Sequence, residues 1–91
     1  MKRGTMYLEK TIAVVVPAYN EEKLMARTLD SIPDMVDKII VVNDASRDDT
    51  SDIVRKEAEK NVRILLIDHE VNQGVGGAIV TGYKEIGRAH V

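Results

Sequence analysis

The chain has 91 residues, of which 44% are hydrophobic and 31% charged, with a formal net charge of -2 and no cysteine. That length allows one domain with a modest core, built from aliphatic side chains because Phe and Trp are absent, and the composition argues against intrinsic disorder. A nearly neutral balance with no Lys/Arg cluster excludes a nucleic-acid footprint, and the lack of cysteine excludes a disulfide framework, a thiolate zinc site and a cysteine nucleophile.

Residues 1–10, MKRGTMYLEK, carry two early basic residues but no apolar stretch of signal-peptide length. They read as a solvated lead-in, with Met6 as a second candidate start. No apolar run approaches the roughly 18 residues of a membrane span.

The stretch Thr11 to Glu22, TIAVVVPAYNEE, organises the rest. Ile12 to Val16 is a continuous, mostly β-branched apolar run, the pattern of a strand covered on both faces in a parallel sheet. Pro17 is expected to end it. Asn20 is placed to cap a helix over Glu21 to Ser31, with Glu21 and Glu22 at the positive end of its dipole. Leu24, Thr28, Leu29 and Ile32 fall on one face of that helix.

Pro33 and Asp34 interrupt the chain before Lys38 to Asn43, KIIVVN, a second buried-type strand that stops at the polar cluster Asn43 to Asp49. Thr50 or Asp49 is the expected cap of a helix over Ser51 to Lys60, whose stripe is Ile53, Val54, Glu57 and Ala58. Val62 to Ile67 reads as the third strand. The glycine-rich loop Asp68 to Gly77 leads into a helix over Val75 to Glu85, with Ala78, Ile79 and Tyr83 inward.

Strands alternating with helices over such short connections imply an α/β fold with a Rossmann-like parallel sheet and right-handed crossovers. Ligands of open α/β sheets bind at the carboxyl ends of the strands. The loops Pro17 to Glu21, Asn43 to Asp49 and Asp68 to Gly77 should therefore converge. Glu85 to Val91, EIGRAHV, is also what a sequencing adapter encodes in one reading frame. The expected organisation is thus a lead-in over 1–10, a partial α/β domain over 11–85 and a non-native tail over 86–91, His90 included.

Asp44, just past a buried strand, suits hydrogen bonding to a nucleobase N–H or a ribose hydroxyl, but equally a turn closed with Ser46. Tyr19 offers a ring for stacking and Glu21 an acceptor, while a helix start would use the same residues. The sequence NQGVGG at 72–77 puts backbone N–H groups where a phosphate could meet them, or serves helix packing. No G-x-G-x-x-G follows the first strand and there is no G-x-x-x-x-G-K-[ST], which disfavours a dinucleotide fold and a P-loop. Asp48, Asp49 and Asp52 read as helix N-terminal charge rather than a metal site, and His69 as a loop residue.

With these motifs laid out, the sequence resembles the amino-terminal part of family 2 glycosyltransferases, which have the GT-A fold and include dolichol-phosphate mannose synthase-like enzymes. VVVPAYNEE is similar to the family's opening strand and loop, VVNDASRDDT to its V-V-D-D-G-S-x-D-G-T segment, and NQGVGGAIVTGY to its N-x-G-x-x-x-A-x-x-x-G helix entry. The match covers Thr11 to Lys84.

The resemblance implies a parent enzyme that transfers a sugar, with inversion, from a UDP- or GDP-sugar to an acceptor such as a polyprenyl phosphate or a glycan. It would be cytoplasmic or membrane-associated, and these residues alone inactive. Carried over by position, Pro17, Ala18, Tyr19 and Glu21 line base and ribose, Asp44 bonds the base, and Asn72 and Gly74 border the nucleotide. Asn43 departs from the family's first Asp, Ala45 from Gly, Arg47 from Thr, Asp49 from Gly, and Gln73 from a basic residue. The divalent cation, Mg²⁺ or Mn²⁺, and the catalytic base are expected from residues beyond this chain, so no catalytic or metal residue is assigned within it. The alternative is a non-catalytic α/β nucleotide-binding or interaction module. A D-x-D roughly ten to twenty residues past Lys84 would separate the two.

Overall fold

A computed structural model describes residues 4–8 and 11–89. In order these form β1 (Gly4–Leu8), β2 (Thr11–Ala18), α1 (Met25–Asp30), β3 (Lys38–Asn43), α2 (Thr50–Lys60), β4 (Ile64–Asp68) and α3 (Gly74–Ala89). They build one four-stranded sheet of order β1-β2-β3-β4. The expected α/β architecture is present: β2, β3 and β4 run parallel, and β1 is added antiparallel at one edge.

The unbroken apolar runs have a direct explanation. Successive residues of a strand face opposite sides, and both sides of this sheet are covered. Val14, Val16 and Ala18 with Ile39 and Val41 pack against Met25 and Leu29 of α1 and Val54 of α2. Ala13, Val15, Ile40 and Val42 pack against Ala78 and Ile86 of α3, with Ile79 and Tyr83 beside them. Because both faces are apolar, alternation does not set the register. Bonds at the ends do so. The Ile12 amide donates to Asp37 Oδ2 at 2.8 Å and the Asp37 amide to the Ile12 carbonyl at 2.8 Å, while at the far end the Asp44 amide donates to the Ala18 carbonyl at 2.8 Å.

Several expectations are corrected. Gly4–Leu8, read as lead-in, is β1, paired with β2 from Gly4 opposite Val15 to Leu8 opposite Thr11. Pro17 does not end β2, which runs to Ala18. Since Ala18 faces β3, strand alternation turns the donorless Pro17 nitrogen to the other edge of the strand, away from the β3 ladder.

The first helix is shorter than expected and Leu24 is half exposed, with Met25, Leu29 and Ile32 buried in its place. β4 starts at Ile64, leaving Val62 fully in solvent. α3 begins at Gly74 and continues past Glu85 through Ala89, with Ile86 buried in the second core. His90 and the rest of the proposed tail beyond 89 lie outside the described residues. Among the described residues no helix is long and apolar enough to cross a membrane.

Candidate functional site

α1 and α2 lie on one face of the sheet and α3 on the other, across β2 and β3. The amino end of α3 therefore reaches the loop after β2, although α3 follows β4 in sequence. Its close approach depends on Gly82, which sits against Val15 of β2 with no room for a side chain. The result is a cleft of about 90 Å³ at the carboxyl edge of the parallel strands, lined by Pro17, Ala18, Tyr19, Glu21, Asp44, Val75 and Ala78. This is below the roughly 300 Å³ at which small-molecule pockets begin; it offers one wall to a ligand rather than an enclosure.

Asp44 is the hub of that edge. It is 3% exposed, and its carboxylate accepts the Gln73 amide on Oδ1 at 2.7 Å, His69 Nδ1 on Oδ1 at 2.9 Å and the Gly74 amide on Oδ2 at 2.8 Å. Burial pushes the Asp44 carboxyl up, but the bonds from His69 and the two amides outweigh it and hold the group below the usual carboxylate range. The carboxylate also caps the first turn of α3, where the positive end of the helix dipole favours its charge. Oδ1 is saturated by two donors. Oδ2 keeps an acceptor site for something else.

Asn72 and Gly74 stand behind Asp44 rather than in the cleft lining. Asn72 Nδ2 donates to the Asp44 carbonyl at 3.2 Å and its Oδ1 accepts the Gly74 amide at 3.1 Å, and Gly74 adopts φ +77°, which glycine tolerates. The structure thus brings Pro17, Ala18, Tyr19, Glu21 and Asp44 together at the cleft, with Asn72 and Gly74 as supports. The turn after β3 is closed not by Asp44 but by Asn43, whose Oδ1 accepts the Ser46 amide at 3.3 Å.

Asn43 also donates through Nδ2 to Asp68 Oδ1 at 2.9 Å. An Asp at position 43 could not make that bond, so the departure from the family's Asp matches a carboxylate at the end of the neighbouring strand.

The loops after β2 and β3 share their hydrogen bonds. The Asn20 amide donates to Ser46 Oγ at 3.0 Å and Asn20 Oδ1 accepts the Arg47 amide at 2.9 Å. Thr50 Oγ1 accepts the Glu21 amide at 2.9 Å and donates to Asp48, and Asp48 Oδ2 accepts the Glu22 amide at 3.3 Å. Asn20 is therefore no helix cap; at φ 52° it turns the chain, and Thr50 supplies the acceptor from 29 residues away. Asp49 stands at the N-cap of α2 as expected, but its side chain makes no capping bond; Asp48 Oδ1 takes the Thr50 amide at 3.0 Å instead. Burial raises the Asp48 carboxyl, yet the Thr50 hydroxyl and the amides of Thr50 and Glu22 outweigh it and hold the group below its ordinary range.

His69 was the main residue that sequence reasoning missed. Its side chain is 7% exposed, with Nε2 sharing a hydrogen bond with Thr81 Oγ1 at 2.8 Å. Its partners lie 25 and 12 residues away, so no local spacing could have shown them.

A larger hollow of about 310 Å³ lies at the opposite edge, beside Asp37, Lys38, Val62, Arg63 and Ile86. Polar groups there already serve the chain: Arg63 donates to the Pro33 and Val36 carbonyls, each at 2.8 Å, and Asp37 holds Ile12. Among the described residues no three His, Asp or Glu side chains converge to hold a metal ion.

Comparison with known proteins places this geometry. The chain is 36% identical over 91 aligned residues to a UDP-N-acetylglucosamine--dolichyl-phosphate N-acetylglucosaminyltransferase of Methanococcus voltae, covering 85% of this chain and 36% of that protein. It is 38% identical over 82 residues to the dolichyl-phosphate beta-glucosyltransferase ALG5A of Trichomonas vaginalis, covering 78% and 25%. A solved structure of the mannosyltransferase PcManGT from Pyrobaculum calidifontis, in complex with GDP-Man and Mn²⁺, superposes with a TM-score of 0.68 at 30% identity, over 78% of this chain and 23% of that one. The chain spans between about a tenth and just over a third of the length of the curated relatives it matches. The family model of Glycosyl transferase family 2 matches residues 13–87, and the α/β sheet agrees with it: the chain belongs to glycosyl transferase family 2.

Proposed function

We propose that this chain is the nucleotide-binding part of a glycosyltransferase that takes its sugar from a UDP- or GDP-sugar. The observation that carries the reading is the cleft in which Tyr19, Glu21 and Asp44 meet at the carboxyl edge of the sheet. Tyr19 is 46% exposed, and its ring is free to stack on a base. The open acceptor site of Asp44 Oδ2 suits a base that presents a ring N–H. Uracil and guanine do so; adenine and cytosine present a ring lone pair. Glu21 then faces the ribose, the Gly74 amide holds the Asp44 carboxylate, and Asn72 holds the Asp44 carbonyl and braces the Gly74 amide.

The names of the relatives support a lipid-linked acceptor such as a polyprenyl phosphate, and the solved neighbour supports a divalent cation. Such a cation would neutralise charge developing on the departing diphosphate. The described residues do not form a ligand set for it, so no step is assigned to it here. With a lipid-linked acceptor the whole enzyme would act at a membrane surface.

The test is titration of UDP, GDP, ADP and CDP with and without Mn²⁺. Tighter binding of UDP or GDP than of the other two, reduced by Asp44→Ala, is the expected result. Equal affinity for all four, or an unchanged affinity in Asp44→Ala, overturns the base-recognition role.

A further inference from the structure

We infer that His69 is a positioning residue for nucleotide binding: its Nδ1 donor selects which oxygen of Asp44 is left open to the base. This rests on the reading of Asp44 given above and assigns a role to a residue outside the cleft.

A carboxylate has about four acceptor sites, two on each oxygen. The α3 amides do not discriminate between the oxygens, since Gln73 takes Oδ1 and Gly74 takes Oδ2. His69 breaks the tie. Its Nδ1, 2.9 Å from Oδ1, fills the second site on that oxygen and leaves Oδ2 with one donor only. The ring is itself held at its far end by Thr81 Oγ1 at 2.8 Å, an oxygen that also lies 3.0 Å from the Gly77 carbonyl. The His69 amide donates to the Asn43 carbonyl at 2.8 Å, which ties the same residue to the end of β3. His69 thus links the end of β3, just before Asp44, to α3, the helix that supplies Val75 and Ala78 to the cleft. Both side chains of the pair are almost fully buried, 7% and 5% exposed, so water does not replace the bond when it is removed.

Two substitutions divide the ring's functions. His69→Asn puts an amide nitrogen where Nδ1 stood, keeping the donor to Asp44 and losing Thr81. His69→Gln reaches the Nε2 position, keeping Thr81 and losing Asp44. Each deletes one hydrogen bond, so a purely structural role lowers the melting temperature of both, more in His69→Gln because the partner it loses is charged, and leaves their nucleotide affinities similar.

The positioning role predicts that in the intact protein His69→Asn keeps UDP or GDP affinity within about threefold, while His69→Gln weakens it about tenfold or more, the loss expected for one bond to a charged group. Melting curves recorded alongside confirm that both variants are folded. If wild-type protein binds UDP or GDP and His69→Gln binds as tightly, or His69→Asn loses as much as His69→Gln, the inference fails and the nucleotide reading stands. If wild-type protein binds neither nucleotide, both fail.

Discussion

Gly82 of α3 and Val15 of β2 touch so closely that a methyl group built on Gly82 would lie 2.4 Å from Val15 Cγ1 and 2.8 Å from Cγ2. Val15 is fully buried and, being β-branched, has little rotamer freedom with which to give way. Gly82→Ala should therefore push α3 off the sheet and cost about 1–3 kcal/mol, the usual range for overpacking. Urea denaturation measures this. Val15→Ala in the same background should recover part of the loss, whereas additive effects would show that the two residues do not constrain each other.

Thr50 is completely buried and its hydroxyl serves both Glu21 and Asp48. Thr50→Val keeps the shape and leaves the Glu21 amide without its acceptor, at an expected cost of about 1–3 kcal/mol. Thr50→Ser should restore most of it in the same denaturation experiment.

The Asp44 and Asp48 carboxyls are both held below their ordinary value of 3.8. A depressed native pKa stabilises the fold at pH values above the unfolded value, and the contribution disappears as pH falls through the native one. Melting temperature should thus drop as pH falls below about 4. Asp44→Asn, less stable at neutral pH, should lose less over that acid range. An identical slope in the variant would remove Asp44 from the account.

Asn43→Asp would set a carboxylate against Asp68, now 2.9 Å from the Asn43 amide. Position 43 is buried, so repulsion there raises a carboxyl pKa and destabilises the neutral-pH protein. Here the sign is opposite: the deficit relative to wild type, about 1–3 kcal/mol at pH 7, should shrink as pH falls. Thermal melts at pH 7 and pH 4.5 compare the two.

Tyr19 touches solvent and supports little of the core. Tyr19→Phe should keep nucleotide affinity, while Tyr19→Ala should lower it about tenfold, in line with about 1–3 kcal/mol for a base on an aromatic ring. Neither should shift the melting temperature by more than a degree or two, on the order expected for a surface change. Calorimetric titration with UDP and GDP provides the comparison.

The parts legible from sequence were those whose cause is local. KIIVVN at 38–43 reads as a buried strand because both of its faces meet helices, and its bounds agree with β3. The convergence of the three loops follows from parallel topology alone. What escaped depends on distant partners. The loop before α1 is tied at the Glu21 amide by Thr50 from 29 residues away, and the start of α3 is capped by Asp44 from 29 and 30 residues away. β1 escaped because GTMYL carries no hairpin signal such as Asn-Gly before TIAVVV. His69 looked like an ordinary loop residue because its meaning lies in Asp44 and Thr81.

The shared hydrogen bonds between residues 20–22 and 46–50 have a consequence for divergence. Amides of each loop depend on side chains of the other: Asn20 and Glu22 serve the Arg47 and Asp49 amides, while Ser46, Asp48 and Thr50 serve those of Asn20, Glu22 and Glu21. A replacement on one side removes the side-chain acceptor of an amide on the other. Descendants of this sequence should therefore exchange these positions in pairs, as one inherited unit, even while the neighbouring exposed residues Lys23 and Leu24 drift independently.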